Sequence, residues 1–295
     1  MKGSFQQHLA DEISSATGQE FVCHATSAAG GGCINQAMVI SDGETSFFVK
    51  LNRAALADMF SAEAAGLREI TGTASVRVPA PICHGHHAEY AYLVLEHVPM
   101  RGLDAPSATA LGEQLARMHR HTSGHFGWDR DNTIGSTPQH NDNSDDWVRF
   151  WRHQRLEALT DKLKNQAPKQ TLDVFYALTE KVDVFFRDYT PVASLLHGDL
   201  WGGNVSRDEH GAPVIFDPAV YYGDRETDIA MTELFGRLGE NFYAAYHEQW
   251  PLDDGYALRR DLYNLYHVLN HALLFGGGYL SQARGMAGRL LAATG

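Results

Sequence analysis

The sequence predicts an α+β protein with two lobes: a small antiparallel β-rich lobe with one helix at residues 1–98, and a larger, mainly α-helical lobe at residues 99–295. Strand-like segments fill most of the first hundred residues, and helical periodicity dominates after Pro99. Strands and helices do not alternate, which argues against a parallel βαβ sheet. A chain of 295 residues is long enough to bury the core that two such lobes need.

In the first lobe, strand signals surround a single helical segment. The Asp42–Gly43 pair is a strong hairpin signal between two apolar strands. Apolar residues between Met59 and Ile70 recur at spacings of three and four, which predicts an amphipathic helix. The five predicted strands are residues 19–26, 34–40, 45–51, 75–85 and 89–98.

The second lobe shows helical periods instead. Ser107 and Ser144 are expected to cap the first two helices, because a serine hydroxyl can accept a bond from a free N–H of the first turn. Pro168, Pro191 and Pro251 separate helical segments, since proline interrupts helical hydrogen bonding. The predicted helices are residues 107–122, 144–163, 171–189 and the stretch from 224 to the end, interrupted by glycines at 276–278.

Charge and cysteine content exclude several classes of protein. The 24 basic and 36 acidic residues give a net charge of −12 without a lysine or arginine cluster, so we expect no nucleic-acid partner. No apolar stretch has the length of a signal-peptide core or a membrane span, which predicts no membrane association. The cysteines Cys23, Cys33 and Cys83 include no CxxC pair, so we expect a cytoplasmic protein without a disulfide framework.

The segment LLHGDLWGGNVSRDEHGAPVIFDPAV, residues 195–220, carries the strongest chemical signal. Four residues separate Asp199 from Asn204, and Asp217 ends an apolar strand after a turn. A hairpin would place Asn204 beside Asp217, and oxygen ligands of this kind suit Mg²⁺. Asp199 would then position an acceptor hydroxyl for phosphoryl transfer from a nucleotide. The alternative, a solvated acidic turn, is disfavoured because apolar residues at both ends predict burial.

A nucleotide site also needs a phosphate cover and a positive charge. Gly30, Gly31 and Gly32 lie between two predicted strands, where backbone N–H groups can approach phosphates, although a bare turn explains a lone glycine cluster equally well. Lys50 ends the apolar strand SFFVK, and Glu63 follows in the predicted helix. A strand-end lysine is usually a surface residue, but together with a glycine loop and a helical glutamate it matches a kinase small lobe.

Asp228 lies in the acidic start of a predicted helix, within YYGDRETDIAMTELFG at residues 221–236. Acidic residues are favourable at helix N-termini, and this bias is sufficient to explain Asp224 and Glu226. Asp228 is followed by apolar residues, so we expect it to be partly buried and to need hydrogen-bond donors. Backbone N–H groups of the catalytic loop are the donors that we predict.

Together these motifs resemble the fructosamine kinase (ketosamine 3-kinase) family, whose protein-kinase-like two-lobed fold is related to that of aminoglycoside and choline phosphotransferases. The resemblance spans nearly the whole chain. HGDLWGGN and FGWDRDNTIG are specific to this branch, whereas HGDxxxxN alone fits any aminoglycoside-kinase relative. The matching segments are GGGCINQA (30–37), FFVKLN (47–52), MFSAEAAGLREI (59–70), YLVLEHV (92–98), FGWDRDNTIGSTPQHN (126–141), LLHGDLWGGN (195–204), VIFDPAVYYGDRETDIAMTELFG (214–236) and LYNLYHVLNHALLFGGGYL (262–280).

The resemblance implies a phosphotransferase that uses ATP and Mg²⁺ to phosphorylate the C3 hydroxyl of ketosamines of the fructosamine or ribulosamine type, a deglycation repair activity. Asp199 would be the catalytic base or hydroxyl positioner. Asn204 and Asp217 would hold the metal. His197 and Asp228 would support the catalytic loop.

The resemblance also assigns residues to the nucleotide and the acceptor. Lys50, oriented by Glu63, would contact the α- and β-phosphates under the glycine loop Gly30–Gly32. Trp201 would offer the sugar-amine a flat apolar face, with a structural role as the alternative. Cys33 would form an intermolecular disulfide, with an inert loop residue as the alternative. The hinge whose backbone reads adenine would be Glu96, His97 and Val98.

The resemblance leaves the acceptor and the assembly open. The acceptor would be a small ketosamine or a glycated amine or protein, and the chain a monomer or a redox-linked homodimer. An aminoglycoside, a choline-like molecule or another small alcohol is the alternative acceptor, and a non-catalytic kinase-fold binding module is the third hypothesis. The family pattern usually has tryptophan where this chain has Asn143, whereas every catalytic position is filled.

Overall fold

Five strands form an antiparallel sheet: β1 (Ala25–Ala29), β2 (Gln36–Ser41), β3 (Ser46–Arg53), β4 (Pro81–His87) and β5 (Tyr90–Glu96). The computed structural model describes residues 3–30 and 35–295, and its sheet has the strand order β1-β2-β3-β5-β4. β3 lies at the centre, paired with β2 and β5. The hairpin between β2 and β3 turns at Asp42, whose N–H donates to the carbonyl of Thr45, as the Asp-Gly pair predicted.

The two faces of the sheet pack against different helices, α1 (Gly3–Thr17) and α2 (Ala57–Gly72). Side chains alternate along a strand, so consecutive residues of β3 face opposite sides. Val49 packs with Leu9 of α1 in one hydrophobic cluster. Lys50 points to the other face, where α2 lies. The alternation therefore brings a buried lysine to the helix that carries its predicted glutamate.

The helix α1 adds to the single helix predicted for this lobe. Its Phe5, Leu9 and Ile13 are buried at spacings of four, as on one face of an amphipathic helix. The strand predicted at 19–26 begins only at Ala25. Phe21 instead donates its N–H to the hydroxyl of Ser14 in α1 (2.9 Å), so the chain here follows the helix rather than the sheet.

The second part of the chain is mainly helical. Its helices are α3 (Ala105–His119), α4 (Trp147–Phe150), α5 (Ala158–Lys162), α6 (Lys169–Thr179), α7 (Glu226–Leu234), α8 (Glu240–Gln249), α9 (Tyr256–Phe275) and α10 (Gly278–Ala292). A π-helical segment, Trp151–Glu157, joins α4 to α5. The α3 helix packs on α8, and α9 packs on α7 and α10. The helix predicted at 171–189 is wrong beyond Thr179, where a short 3₁₀ helix, Val182–Phe186, follows after a break.

The N-caps of two helices differ from the prediction. Asp104, not Ser107, caps α3: its carboxylate accepts from the N–H of Ser107, whose hydroxyl accepts in turn from the N–H of Asp104 (2.9 Å). Asp146, not Ser144, caps α4 through the N–H of Arg149. Aspartate and serine cap helices about equally well, so composition alone does not distinguish neighbouring candidates.

Three short strand pairs place the loops that carry the predicted chemistry. They are β6 (Asn132–Ile134) with β7 (Thr137–Gln139), β8 (Ser194–Leu196) with β11 (Tyr221–Gly223), and β9 (Val205–Arg207) with β10 (Pro213–Ile215). Asp199 lies in the loop after β8, Asn204 directly precedes β9, and Asp217 follows β10. The β9–β10 hairpin thus returns the chain to the catalytic loop.

Candidate active site

The loop after β8 is held by the buried carboxylate of Asp228. This carboxylate accepts from the N–H groups of His197 (2.7 Å) and Gly198 (2.9 Å) and from His119 Nε2 (3.1 Å). Burial acts to raise the pKa of Asp228, but the bonds from His119 and the loop outweigh it and lower that pKa. Asp228 therefore stays ionised and has the backbone donors that the sequence analysis predicted.

The His197 ring connects this loop to the residue that precedes Asp217. Its Nδ1 accepts from the N–H of Asp199 (3.3 Å), and its Nε2 lies 3.0 Å from the carbonyl of Phe216. A carbonyl can only accept, so the ring proton is on Nε2. Burial lowers the pKa of His197 and keeps the ring neutral. One imidazole thus links the chain at Asp199 to the chain at Asp217.

Close backbone approach explains the glycine between His197 and Asp199. Gly198 has φ +82°, and a Cβ added there would lie 2.1 Å from the carbonyl oxygen of Ala219. The N–H of Ala219 donates to the carbonyl of His197 (2.8 Å). The catalytic loop and the segment after Asp217 are therefore in direct contact, and no side chain fits between them.

Asp199 is largely covered, and its environment disfavours its charged form. Burial and the negative charge of Asp217 raise the pKa of Asp199 to about 7, although a hydrogen bond from Asn204 Nδ2 (3.3 Å) acts in the opposite direction. A carboxylate with a pKa near neutrality can accept a proton from a bound hydroxyl at ordinary pH. The position and the pKa both suit a general base.

Asn204 presents an amide oxygen that has no donor from the described residues. Its Nδ2 donates to the backbone carbonyl of Asp199 (2.9 Å), which leaves Oδ1 as the free end of a buried side chain. The N–H of Phe216 donates to the Asn204 carbonyl (3.1 Å), so the two ends of the β9–β10 hairpin lie side by side. Asn204 and Asp217 are therefore neighbours, as the spacing predicted.

Asp217 supplies a carboxylate that is 42% exposed, with a backbone φ of +58°. A carboxylate oxygen beside an amide oxygen is a donor set that fits Mg²⁺, which is bound in such sites by one or two carboxylates and by substrate phosphates. Among the described residues, no group of three or more His, Cys, Asp or Glu side chains could hold a metal on its own.

Lys50 lies between two carboxylates. Its Nζ is 2.5 Å from Glu63 Oε1 in α2 and 2.5 Å from Asp217 Oδ1. Burial opposes the charged form, but the two carboxylates more than offset this and raise the pKa of Lys50. The sequence analysis predicted the first partner and missed the second, because Asp217 is 167 residues away along the chain.

The end of β5 carries the residues that the sequence analysis assigned to a hinge. The carboxylate of Glu96 accepts from Arg77 Nη2 (2.6 Å), and Arg77 also contacts Asp208 in the β9–β10 turn. No described residue forms a hydrogen bond with the backbone N–H or C=O of His97 or Val98. These groups are available to a planar ligand edge, whereas the Glu96 side chain is already engaged.

Only the first residue of the glycine cluster, Gly30, is among the described residues. β1 and β2 pair antiparallel up to Ala29 and Ala37. Gly30 is exposed, and a Cβ there would meet no atom within 4 Å. The predicted phosphate residues Gly31 and Gly32 and the predicted redox residue Cys33 lie outside the described residues.

Trp201 forms an exposed aromatic surface two residues after Asp199. Its side chain is 37% exposed and packs edge-on against Phe235, with ring centroids 6.0 Å apart. A Cβ at Gly203 would lie 2.3 Å from the indole, so the ring covers the Gly203 backbone. His271 continues the aromatic surface beside Phe235 (4.7 Å). Trp201 is thus both exposed and held in place.

Asp224 and Glu226, which the sequence analysis attributed to the acidic bias of helix N-termini, are both buried and have side-chain donors. Tyr263 (2.5 Å) and Tyr189 (3.0 Å) donate to Asp224, and Arg259 forms a two-pronged pair with Glu226. Both acids lie at the start of α7, where acidic residues are common, so this position masked their burial. Their donors are distant in sequence and gave no local signal.

His119 is a supporting residue that the sequence analysis did not identify. It is buried at the end of α3, and its Nδ1 lies 2.8 Å from the hydroxyl of Tyr246 while its Nε2 faces Asp228. A histidine on the apolar face of a helix gives no signal beyond burial. Only its contact with Asp228 connects it to the catalytic loop.

The unusual Asn143 is exposed and precedes a buried aromatic cluster. Trp147 stacks with Phe150 (5.6 Å) and donates its Nε1–H to the hydroxyl of Tyr263 (3.1 Å). Asn143 is not part of this aromatic cluster. The aromatic packing therefore does not depend on a tryptophan at position 143.

Comparisons with known proteins place the chain in one family. The family model described as fructosamine kinase matches residues 5–293. A "Probable ketoamine kinase" of Synechocystis is 46% identical over 284 residues, covering 95% of each chain. The ketosamine-3-kinase of Mus musculus is 38% identical over 283 residues, covering 86% of this chain and 91% of the mouse chain.

Solved structures show the same architecture. A crystal structure from Haemophilus somnus, whose description names fructosamine-3-kinase, superimposes with a TM-score of 0.88 at 27% identity over 96% of each chain. Aminoglycoside phosphotransferase APH(4)-Ia superimposes with a TM-score of 0.66 at 14% identity over 98% of each chain, a likeness of fold alone. These neighbours confirm the predicted α+β, protein-kinase-like fold.

Proposed function

The chain belongs to the fructosamine kinase family, and on this basis we propose that it transfers the γ-phosphoryl group of ATP to the C3 hydroxyl of a ketosamine of the fructosamine or ribulosamine type, a deglycation repair reaction. One observation carries the proposal: the catalytic loop, the β9–β10 hairpin, β3 and α2 bring together a complete set of phosphoryl-transfer residues. The set is Lys50, Glu63, Asp199, Asn204 and Asp217.

Asp199 acts on the acceptor. Its carboxylate orients the attacking hydroxyl and accepts the hydroxyl proton as the new P–O bond forms. The pKa of about 7 leaves a large ionised fraction at physiological pH and still makes the group a useful base. The hydrogen bonds of His197 and Asp228 to the loop backbone keep the carboxylate in position.

Asn204 and Asp217 would hold the metal, through Oδ1 of the amide and the exposed carboxylate. The Mg²⁺ ion, when bound, neutralises charge on the phosphate oxygens. Lys50 stays protonated between its two carboxylates and contributes a fixed positive charge next to the metal residues. Glu63 orients this ammonium group, so the α- and β-phosphates meet a preorganised donor.

The two lobes have different roles in the proposed reaction. Residues 1–98 bind the nucleotide, with the glycine loop Gly30–Gly32 over the phosphates and the backbone of His97 and Val98 on the adenine edge. Residues 99–295 supply the catalytic loop, the metal residues and the helices that surround the acceptor. The unengaged backbone groups at 97–98 support this assignment.

The acceptor lies against Trp201. An exposed indole offers a flat apolar face to a sugar ring, and a protonated secondary amine of a ketosamine is attracted to an aromatic face. The acceptor is a small ketosamine or a ketosamine on a glycated amine or protein. Names of relatives refer to ketoamine and ketosamine substrates, which supports this class over aminoglycosides or choline.

Assembly and location complete the proposal. No helix in the described ranges is long and apolar enough to cross a membrane. Cys23 and Cys83 are free thiols, and we place the enzyme in the reducing cytoplasm. There it acts as a monomer or as a homodimer linked through Cys33 under oxidation.

A substrate panel tests the proposal. The protein is incubated with Mg-ATP and fructosyl-lysine, ribulosyl-lysine, kanamycin or choline, and ADP release is measured. Turnover on a ketosamine with little on the other two acceptors is the expected result. Turnover confined to kanamycin or choline would assign another acceptor class, and no turnover on any of the four at millimolar concentration would leave a non-catalytic module.

A further inference from the structure

The β6–β7 hairpin lies within the motif FGWDRDNTIGSTPQHN, to which the proposed function gives no role. Its polar side chains are buried: Asn132, Gln139 and Asn141 are 8%, 2% and 1% exposed. A buried amide without partners is costly, so each N–H and C=O in such a cluster must be accounted for. The partners show what the hairpin holds.

The cluster contacts the segment that follows Asp217. Asn132 Nδ2 donates to the carbonyl of Val220 (2.8 Å), and Gln139 Nε2 donates to the carbonyl of Ala219 (3.1 Å). The backbones of Gly127 and Tyr222 exchange hydrogen bonds (2.9 and 2.8 Å) just beyond. Positions 219 and 220 are thus tied to the hairpin, and position 222 is tied to Gly127 in the same motif.

The orientation of these amides is dictated by groups on their far side. Arg155 Nη2 lies 2.8 Å from Asn141 Oδ1, and a guanidinium can only donate, so Asn141 must turn its Nδ2 to Asn132 Oδ1 (3.0 Å). Asn132 therefore turns its own Nδ2 to the segment after Asp217. Tyr266 donates to Gln139 Oε1 (2.7 Å), and the carbonyl of Ala219, which can only accept, requires Gln139 Nε2 on the side of the segment after Asp217.

Two other elements hold the same segment. Ala219 N–H donates to the carbonyl of His197 in the catalytic loop. A Cβ at Gly66 of α2 would lie 2.9 Å from Val220 Cγ2, so the helix that carries Glu63 is seated directly on this segment. Residues 219 and 220 therefore sit where the catalytic loop, the α2 helix and the β6–β7 hairpin meet.

This arrangement has a consequence for Asp217, whose φ of +58° is unfavourable for a residue with a side chain. Such a conformation persists only where the surrounding structure over-determines it. The hydrogen-bonded carbonyls of Ala219 and Val220 restrain the chain on the C-terminal side of Asp217. The His197 ring restrains it on the N-terminal side through the carbonyl of Phe216.

We infer that Gln139 and Asn132 are positioning residues for the reaction: they hold the segment after Asp217 so that its carboxylate faces Asn204 and can share a metal ion. The inference rests on the proposed function, since it takes Asp217 as a metal residue. A cluster with a merely structural role would change stability without changing the Mg²⁺ dependence of nucleotide binding.

Two substitutions in this cluster separate these roles. Gln139→Met removes the donor to Ala219 together with the bonds of the Gln139 amide to Asn132 Oδ1 and Tyr266, whereas Tyr266→Phe removes only the last of these. Affinity for AMP-PNP is measured by calorimetry with and without Mg²⁺. We expect Gln139→Met to bind roughly tenfold more weakly with Mg²⁺ and within about twofold without it, because one unsatisfied buried acceptor loosens the segment. Tyr266→Phe should stay within about twofold in both conditions.

Hydrogen–deuterium exchange on the nucleotide-free protein gives a second readout. Amides at 219–222 should exchange faster in Gln139→Met and not in Tyr266→Phe. Gln139→Asn, which keeps an amide too short to reach Ala219, should reproduce the Gln139→Met result even if the methionine variant folds poorly. The inference would be overturned if Gln139→Met and Tyr266→Phe had equal effects, or if Mg²⁺ strengthened AMP-PNP binding to Gln139→Met and Gln139→Asn as much as to the wild type. Either result would leave the proposed function intact. If the wild-type protein bound AMP-PNP equally tightly with and without Mg²⁺, the result would contradict the proposed function instead.

Discussion

Lys50 and Asp217 form a salt bridge between the central strand of the sheet and the β9–β10 hairpin, with Nζ 2.5 Å from Oδ1. This bridge joins a residue of the proposed nucleotide-binding lobe to a residue of the proposed metal pair. It keeps a positive charge beside Asp217 and links β3 directly to the residue that follows β10. The charge on Lys50 is therefore as important as its position.

The Lys50→Met substitution removes that charge and keeps a similar side-chain length. We expect kcat/KM for ATP to fall by ~10²-fold or more, because a preorganised electrostatic group in a site of this kind contributes that much. Steady-state kinetics with varied ATP measures the change. Lys169→Met, at an exposed pair with Asp173, is the matched control and should leave kcat/KM unchanged. A wild-type value for Lys50→Met would remove Lys50 from the site.

The raised pKa of Asp199 predicts the pH profile of the free enzyme. The ionised form is the active base, and burial with the Asp217 charge raises the pKa to about 7, so kcat/KM should increase as pH rises through that value and then level off. Initial rates at subsaturating acceptor between pH 5.5 and 9 measure this. A profile that is flat down to pH 5.5 would contradict the assignment. Asp199→Asn should lose roughly 10²–10⁴-fold in rate.

Trp201 is predicted to act on the acceptor alone. Gly203→Ala would place a Cβ 2.3 Å from the indole and displace it, whereas a Cβ at Gly202 would meet only Leu238 Cδ2, at 4.0 Å. Gly203→Ala should raise KM for the ketosamine several-fold with little change in KM for ATP, and Gly202→Ala should change neither. If the two alanine variants behave alike, the position of the indole does not matter for acceptor binding.

Asp228 is predicted to stabilise the fold through the catalytic loop. Asp228→Asn puts an amide group where three donors converge, and breaking such a buried charged cluster costs ~3–5 kcal/mol. Denaturant unfolding at pH 7 should show this loss. The lowered pKa of Asp228 means that its contribution is present above the ordinary aspartate pKa and is lost as pH falls below about 4. The stability difference between wild type and variant should therefore shrink near pH 3, and a constant difference would contradict the role.

The chemistry-bearing residues that local spacing determines were predictable. Asp199, Asn204 and Asp217 lie within one loop and one hairpin, so their grouping follows from turn signals and apolar strands. The Lys50–Glu63 pair was predictable too, because strand alternation and helical spacing place both side chains on the same side of the sheet. Local rules suffice where the partners share one or two adjacent elements.

Partners that meet only through the tertiary fold were not predictable. The bridge from Lys50 to Asp217 crosses 167 residues, and the donors of Asp224 lie on other elements. The sequence analysis assigned no role to the amides of Asn132 and Gln139, since their burial depends on α9 and on the segment after Asp217. The predictions of helix N-caps were wrong for a different reason: an aspartate and a serine lie close together at each helix start, and the two residue types cap helices about equally well.

The position of the phosphate on the product tests the central claim most directly. The protein is incubated with Mg-ATP and fructosyl-lysine, and the product is analysed by ³¹P–¹H correlation NMR, with Asp199→Asn as the blank. The account predicts a single new phosphate monoester coupled to the proton on C3 of the sugar, absent from the blank. A phosphate on another carbon, or the same product in equal yield from Asp199→Asn, would contradict it.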